Sequence, residues 1–247
     1  MIFLRILKFD FLNILKTPML VLMNTLFPLI LFASFGLATS PKFGGSIATS
    51  YDFYGVATMI MSGMFVSMSV TNTFMERTIK LANMRTLYAP LTKTDIYLSK
   101  LLSNFIFASI SFTVICLIEQ FIFGCNFGGR NIAFVIFLII LLTLFGCSFG
   151  TLACCILKSE EKANALMPII SILFIFFGGI FIPIGHLGRI SSSIANLSPI
   201  KWVTECIYQI IYDGNFKCFA DTCVMLVTLS IICVALCNLT FKPEDYI

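Results

Sequence analysis

Six long apolar stretches, at about 19–38, 54–75, 101–123, 132–156, 164–185 and 219–241, divide this chain of 247 residues. A helix crosses a bilayer with roughly 20 apolar residues, so each stretch is long enough to span. Backbone amides cannot stay unpaired in hydrocarbon, and each stretch therefore predicts a helix and not a strand. Pro28, Pro168 and Pro183 fall within or at the ends of these helices, where they predict kinks or ends. The composition agrees: 59% of residues are hydrophobic, 11% are charged and the mean hydropathy is +1.00. An average soluble domain is about a quarter charged, which excludes a soluble globular chain, a disordered chain and a disulfide scaffold. The net charge of +4 is too small to argue for nucleic acid as a partner.

Lysines and arginines set the expected orientation. With the N-terminus in the cytosol, Arg5, Lys8, Lys16, Arg77, Lys80, Arg85, Lys93, Lys100, Lys158, Lys162 and Lys242 all face inward, which is eleven of sixteen. Lys42, Arg130, Arg189, Lys201 and Lys217 face out. The positive-inside rule then puts both termini in the cytosol. The first sixteen residues, MIFLRILKFDFLNILK, gather Arg5, Lys8 and Lys16 within roughly an 80° arc of a helical wheel, predicting an amphipathic helix in the headgroup layer. A signal peptide is the competing reading, but the basic region already carries large apolar residues and the first span is longer than an h-region. No internal repeat or linker is visible, so residues 1–247 read as a single transmembrane domain.

Two segments outside the spans have a pattern of their own. Between spans two and three, ERTIKLANMRTLYAPLTKTDIYLSK places Leu81, Met84 and Tyr88 at i, i+3 and i+7, with Arg77, Lys80 and Arg85 on the wet side and Pro90 as a stop. A short amphipathic helix of this kind suits docking in a groove on a soluble partner, and a solvated loop that fixes topology is the alternative. Between spans five and six, SPIKWVTECIYQIIYDG offers Ser198 as N-cap, Pro199 as first helical residue and Gly214 as C-terminal cap. Ile200, Val203, Ile207 and Ile210 form its apolar face, while Trp202, Tyr208 and Tyr212 are interface types. Its fifteen or so residues are too few to span, and it reads as an external interfacial helix, either lining an exit or anchoring passively.

Chemistry-bearing residues are sparse. Ten cysteines include no CxxC pair and His186 is the single histidine, so neither a metal site nor a redox motif is expected. Most cysteines lie inside apolar runs as small hydrophobes, whereas Cys125, Cys206 and Cys218 fall in loops placed outside, where a disulfide and free thiols are both compatible. Glu119 is the exceptional acid within a span; beside Gln120 near the outer end, it reads either as a carboxylate reaching water or as part of a substrate or proton path. Asn72 and Asn104 are expected at the cytosolic mouth of a path, and Trp202 at its outer end. Gly146 and Gly150 have GxxxG spacing, expected to let helices approach closely. No phosphate loop, GxSxG elbow or HExxH motif occurs, so catalysis within this chain is not expected and energy comes from elsewhere.

The layout resembles the ABC-2 type permeases, the membrane subunits of ATP-binding-cassette exporters. The resemblance rests on the N-terminal amphipathic helix, the six spans and the basic loop from Glu76-Arg77 to Leu87-Tyr88-Ala89-Pro90-Leu91. It rests further on Lys100, on Phe181-Ile182-Pro183, and on Leu197-Ser198-Pro199-Ile200-Lys201-Trp202. Thr78 and Ile79 depart from the family's frequent pattern of a second acid and a glycine after the Glu-Arg pair. The resemblance implies an all-α membrane protein whose basic loop is a coupling helix seated on a separate ATPase subunit, through Glu76, Arg77, Lys80, Met84, Arg85, Leu87 and Pro90. It implies two permease subunits, alike or different, enclosing an export path, with ATP and Mg bound by the partner and no cofactor on this chain. A path lined by Phe, Met, Ile and hydroxyls suits a hydrophobic or amphipathic cargo such as a drug, an antimicrobial peptide or a lipid-linked molecule, carried out across a bacterial cytoplasmic membrane. Export of a glycan chain and a sensor or scaffold role are the alternatives.

Overall fold

The computed structural model describes residues 2–43, 47–75, 92–180 and 198–241, and all regular structure among them is helical. In chain order the helices are α1 (Ile2–Lys16), α2 (Pro18–Asn24), α3 (Leu26–Thr39), α4 (Ile47–Met75) and α5 (Lys93–Phe121). They continue with α6 (Ile132–Leu157), α7 (Glu160–Phe177), α8 (Pro199–Tyr208) and α9 (Phe219–Thr240). Five helical stretches are long and apolar enough to cross a membrane: Pro18–Lys42, Ser50–Phe74, Lys93–Phe121, Gly129–Leu157 and Phe219–Thr240. They answer to five of the six expected spans. The remaining one, at 164–185, is represented by the 18-residue α7, which opens on Glu160-Glu161-Lys162, and residues 181–185 lie outside the described residues. Three charges in its first turn are why α7 falls short of the other five in apolar length.

The first span is not one rod. At Thr25 the backbone leaves helical geometry, with φ −123° and ψ −65°, and the span splits into α2 and α3. Pro28 is the cause: it has no N–H to give to the carbonyl of Asn24, and its ring crowds that turn. Polar side chains gather at the break, where Thr25 Oγ1 donates to Val21 O at 2.6 Å and Asn24 Nδ2 donates to Leu20 O at 2.9 Å.

The third span starts earlier than its hydropathy suggests. Thr92 and Asp95 form a reciprocal capping box, Asp95 N donating to Thr92 Oγ1 at 3.3 Å and Thr92 N to Asp95 Oδ2 at 3.1 Å. That pairing satisfies two end amides and launches α5 eight residues ahead of the expected boundary, so Lys93 and Lys100 belong to the helix and not to a loop.

At the centre stands α4. In its most apolar window 72% of residues are buried, against 28% in the first and last spans, which are peripheral. It packs most extensively on α6, and also on α3, α5 and α7. The α4–α6 contact is backbone to backbone. A methyl group placed on Gly146 would fall on the carbonyl oxygen of Gly63, and one on Gly150 would lie 2.6 Å from Ser67 O. Cys116, Cys147, Cys154, Cys155, Cys233 and Cys237 are all buried as small core side chains. Hydroxyls on these helices are absorbed by the preceding turn: Ser62, Thr71, Thr143 and Thr151 each donate to the carbonyl four residues back.

Ser198, Pro199 and Gly214 take the positions expected of them. Pro199 opens α8, a π turn at Gln209–Asp213 extends it, and Gly214 closes it at φ +60°. The Ser198 hydroxyl, however, donates to Phe174 O at 3.1 Å in place of capping its own helix, and so pins α8 to the end of α7. Ile200, Val203, Ile207 and Ile210 are fully buried against α4, α6, α7 and α9, while Trp202 and Tyr212 are exposed.

Gly150→Ala is expected to lower the melting temperature of the purified protein, with a loss of ~1–3 kcal/mol from overpacking. Leu239→Ala, on a fully exposed side chain, serves as the control and should leave it unchanged.

Candidate functional site

A cavity of about 250 Å³ lies along the C-terminal half of α4, bounded by the break between α2 and α3 and by α7. Met23, Asn24 and Phe27 line it from the first span, Ser62, Phe65, Met68, Ser69 and Asn72 from α4, and Pro168 and Ile172 from α7. None of the lining residues is charged. Its polar groups come from four residues, Asn24 of α2 and Ser62, Ser69 and Asn72 of α4. Asn24, 3% exposed, donates through Nδ2 to Ser69 Oγ at 2.8 Å as well as to Leu20 O, which fixes its amide against α4. Ser62 spends its proton on Thr58 O at 2.7 Å, and Asn72 is half-buried at the wall. Ser67 Oγ and Ser171 Oγ, 3.3 Å apart, hold α4 and α7 together behind the cavity. An apolar wall with a few oriented amides and hydroxyls is the usual composition of a site for an uncharged or amphipathic molecule.

Below the cavity, toward the end of α4 that leads into residues 76–91, a polar network joins three helices. Lys100 is 5% exposed; its Nζ lies 3.8 Å from Asp10 Oδ1 of α1 and donates to Thr73 O of α4 at 3.3 Å. Ser99 Oγ donates to Asp10 Oδ2 at 2.7 Å. Asn104 Nδ2 donates to Thr73 Oγ1 and to Lys100 O, both at 2.8 Å. Thr73 Oγ1 in turn reaches Ser69 O at 3.1 Å, so one chain of contacts runs from α1 to the cavity wall. A buried ammonium is costly without a partner, and Asp10 supplies it from ninety residues away.

At the opposite end of α4 the acids are arranged differently. Glu119 does not reach water: it is fully buried, and among the described residues neither carboxyl oxygen has a hydrogen-bond partner. Its carboxyl group faces Gly55, near the ring of Phe127. The loop after α5 folds back over it, Cys125 N donating to Glu119 O at 3.1 Å and Asn126 N to Asp52 Oδ1 at 2.6 Å. Burial, with Glu119 and Asp52 nearby, pushes the Cys125 thiol up to about 12. Burial likewise raises Tyr208, whose ring stacks on Phe53 at 6.3 Å, and Tyr212, which also feels Asp52.

Of the residues expected on a path, Asn72 lines the cavity; Asn104 is consumed in the network, Glu119 is sealed at the other end, and Trp202 stands on the exposed side of α8. Gly146 and Gly150 face α4 of the same chain. Glu76, Arg77, Lys80, Met84, Arg85, Leu87 and Pro90, with the Phe181-Ile182-Pro183 element, lie outside the described residues. Among the described residues no group of three or more His, Cys, Asp or Glu side chains is placed to hold a metal ion. Asn24 escaped sequence reasoning; its signal was an amide four residues ahead of Pro28 in an otherwise apolar run.

Apolar helices packed around α4, with the broken first span at the periphery, frame this uncharged cavity. The family model described as ABC-2 type transporter matches residues 2–212, from α1 to the π turn after α8. The chain belongs to the ABC-2 type transporter family. No curated protein matches it at a significant level. As an ABC-2 membrane domain it is the non-catalytic transmembrane component of an ABC transporter, an integral multi-pass protein, and members of the family act with ABC ATPase subunits.

Asp10→Ala in this ABC-2 protein leaves the Lys100 ammonium buried without its counter-charge and is expected to cost ~3 kcal/mol. Thermal unfolding in detergent should show a drop in melting temperature that Asp10→Ala combined with Lys100→Met largely restores; an equal drop in both would refute the pairing.

Proposed function

We propose that this chain is the permease subunit of an ATP-driven exporter that moves a hydrophobic or amphipathic molecule, such as a drug, an antimicrobial peptide or a lipid-linked compound, out across a bacterial cytoplasmic membrane. The observation that carries this reading is the uncharged cavity between the broken first span, α4 and α7, with Asn24, Ser62, Ser69 and Asn72 as its polar contacts. A charged cargo would find no counter-charge on that wall, whereas an apolar one with a few donors and acceptors would. Ion export is disfavoured for the same reason.

The topology proposed with it has both termini in the cytosol, α7 and the residues after it as the sixth span, α1 in the headgroup layer and α8 on the outer side. Residues 76–91 carry the coupling helix, with Glu76, Arg77, Lys80, Met84, Arg85, Leu87 and Pro90 against the ATPase. Thr73, which takes part in the Asp10–Lys100–Asn104 network, stands three residues before that segment, so a push on the coupling helix is delivered to α4 and to the cavity wall it carries. Two such permeases and two cassettes working in this way need a bistable packing of helices and no reactive side chain.

The reading is tested with the permease and its ATPase purified together and reconstituted in liposomes. Arg85→Glu with Met84→Asp is expected to abolish co-purification of the ATPase; unchanged association would defeat the docking assignment. Ile172→Trp, which fills the cavity from an exposed position on α7, is expected to reduce cargo transport several-fold while the ATPase stays bound. ATP hydrolysis with no cargo movement across a panel of apolar and amphipathic compounds would favour a sensor over an exporter.

A further inference from the structure

Seven of the ten cysteines gather into two clusters of opposite character. One joins Cys154 and Cys155 of α6 to Cys233 and Cys237 of α9; Cys237 is hydrogen-bonded to Cys155, and all four are buried. The other lies where α8 meets the head of α9. Cys206, on the buried face of α8, has the side chains of Cys218, the residue that precedes α9, and of Cys223 as neighbours. Cys218 Sγ also donates to Gln209 Oε1 at 3.2 Å, which holds it against the π turn. Cys206 is fully buried, whereas Cys218 and Cys223 are half-buried.

From this geometry we propose that Cys206 and Cys218 are a redox pair that closes reversibly to a disulfide and ties α8 to the last span. Cys218 Sγ is held at Gln209, about one helical turn beyond Cys206, so the two thiols share one face of the α8–α9 junction. Cys223 is a poorer partner for either. Five residues along a helix turn it about 140° from Cys218, away from the side that Gln209 holds. The two members have unequal roles. Cys218 is the more exposed of the two and is the attacking thiol; burial pushes Cys206 up to about 12, which makes it the slower, resolving one.

The oxidant is a low-molecular-weight disulfide of the glutathione kind. The Cys218 thiolate attacks one of its sulfurs, the small S–S bond breaks, and one small thiolate leaves with a mixed disulfide on Cys218. That thiolate takes the proton of Cys206. The Cys206 thiolate then attacks Cys218 Sγ, the protein disulfide forms, and the second small thiolate departs and takes up the proton lost from Cys218. Two protein thiols lose two electrons, and one small disulfide becomes two small thiols. The pairing does not depend on topology. Its operation in an oxidising compartment does, and there it rests on the outward placement of α8 proposed above.

The full-length protein in detergent is incubated with oxidised glutathione, its free thiols are alkylated, and a non-reducing digest is read by mass spectrometry. The expected product is a cross-linked peptide pair containing Cys206 and Cys218 that disappears on reduction, is lost in Cys218→Ser and persists in Cys223→Ser. A bridge through Cys223, a bridge between two copies, or full alkylation of both cysteines after oxidation would overturn the proposal. In sealed cells a membrane-impermeant maleimide is expected to label Cys218, and prior oxidation to block it. Labelling only after lysis, with the detergent cross-link intact, would leave the redox pair standing and remove its outward placement.

Discussion

Helices in a bilayer gain no hydrophobic advantage from leaving lipid for one another, so their association depends on how closely their backbones approach. In this protein that closeness is concentrated where Gly146 and Gly150 of α6 rest on Gly63 and Ser67 of α4. Side chains larger than hydrogen at either glycine would push α6 off α4, and the remaining helices are arranged around that pair. Because α4 is seated in this way, its other faces are free to receive α3, α5 and α7, and the cavity wall from Ser62 to Asn72 is held in one orientation.

Polar residues in the spans divide by whether their needs are met locally. Hydroxyls satisfied by their own helix, such as Ser62 and Thr143, cost little and carry no information about partners. Asn24, Asn104 and Lys100 cannot be satisfied by one turn of helix, and each reaches to a different segment. They therefore specify which helices meet and in which register, a role for buried polar groups that apolar packing alone does not fill. Glu119 stands apart, since among the described residues no donor comes to its carboxyl oxygens.

How much of this was legible in the sequence follows from which signals are local. Hydropathy alone located five of the six expected spans, and Ser198, Pro199 and Gly214 marked the ends of α8 because caps are written in adjacent residues. The early start of α5 was also written locally, in the Thr92–Asp95 capping box, but a hydropathy window passes over it. Lys100 was read as a loop cation because a lysine next to an apolar run is normally wet; its partner Asp10 belongs to a distant helix and no spacing rule reaches it. Of the two readings open for Glu119, reaching water fails for the same reason, since the loop that covers it, from Cys125 to Phe127, has no periodic pattern to announce its fold. The cavity is likewise a property of three packed segments, and only Asn72 among the residues expected on a path lines it.

The interruption at Thr25 divides the first span into two helices, α2 and α3. A continuous helix would fix the direction of α3 by that of α2. The break lets the two segments meet α4 separately: α3 packs extensively along it, with Phe32 against Tyr51 and Ser50 Oγ donating to Gly36 O, while α2 meets it through Asn24 and Ser69. The edge of the cavity at Asn24 and Phe27 is therefore drawn by two helices and not by one, so its outline is set by two separate seatings on α4.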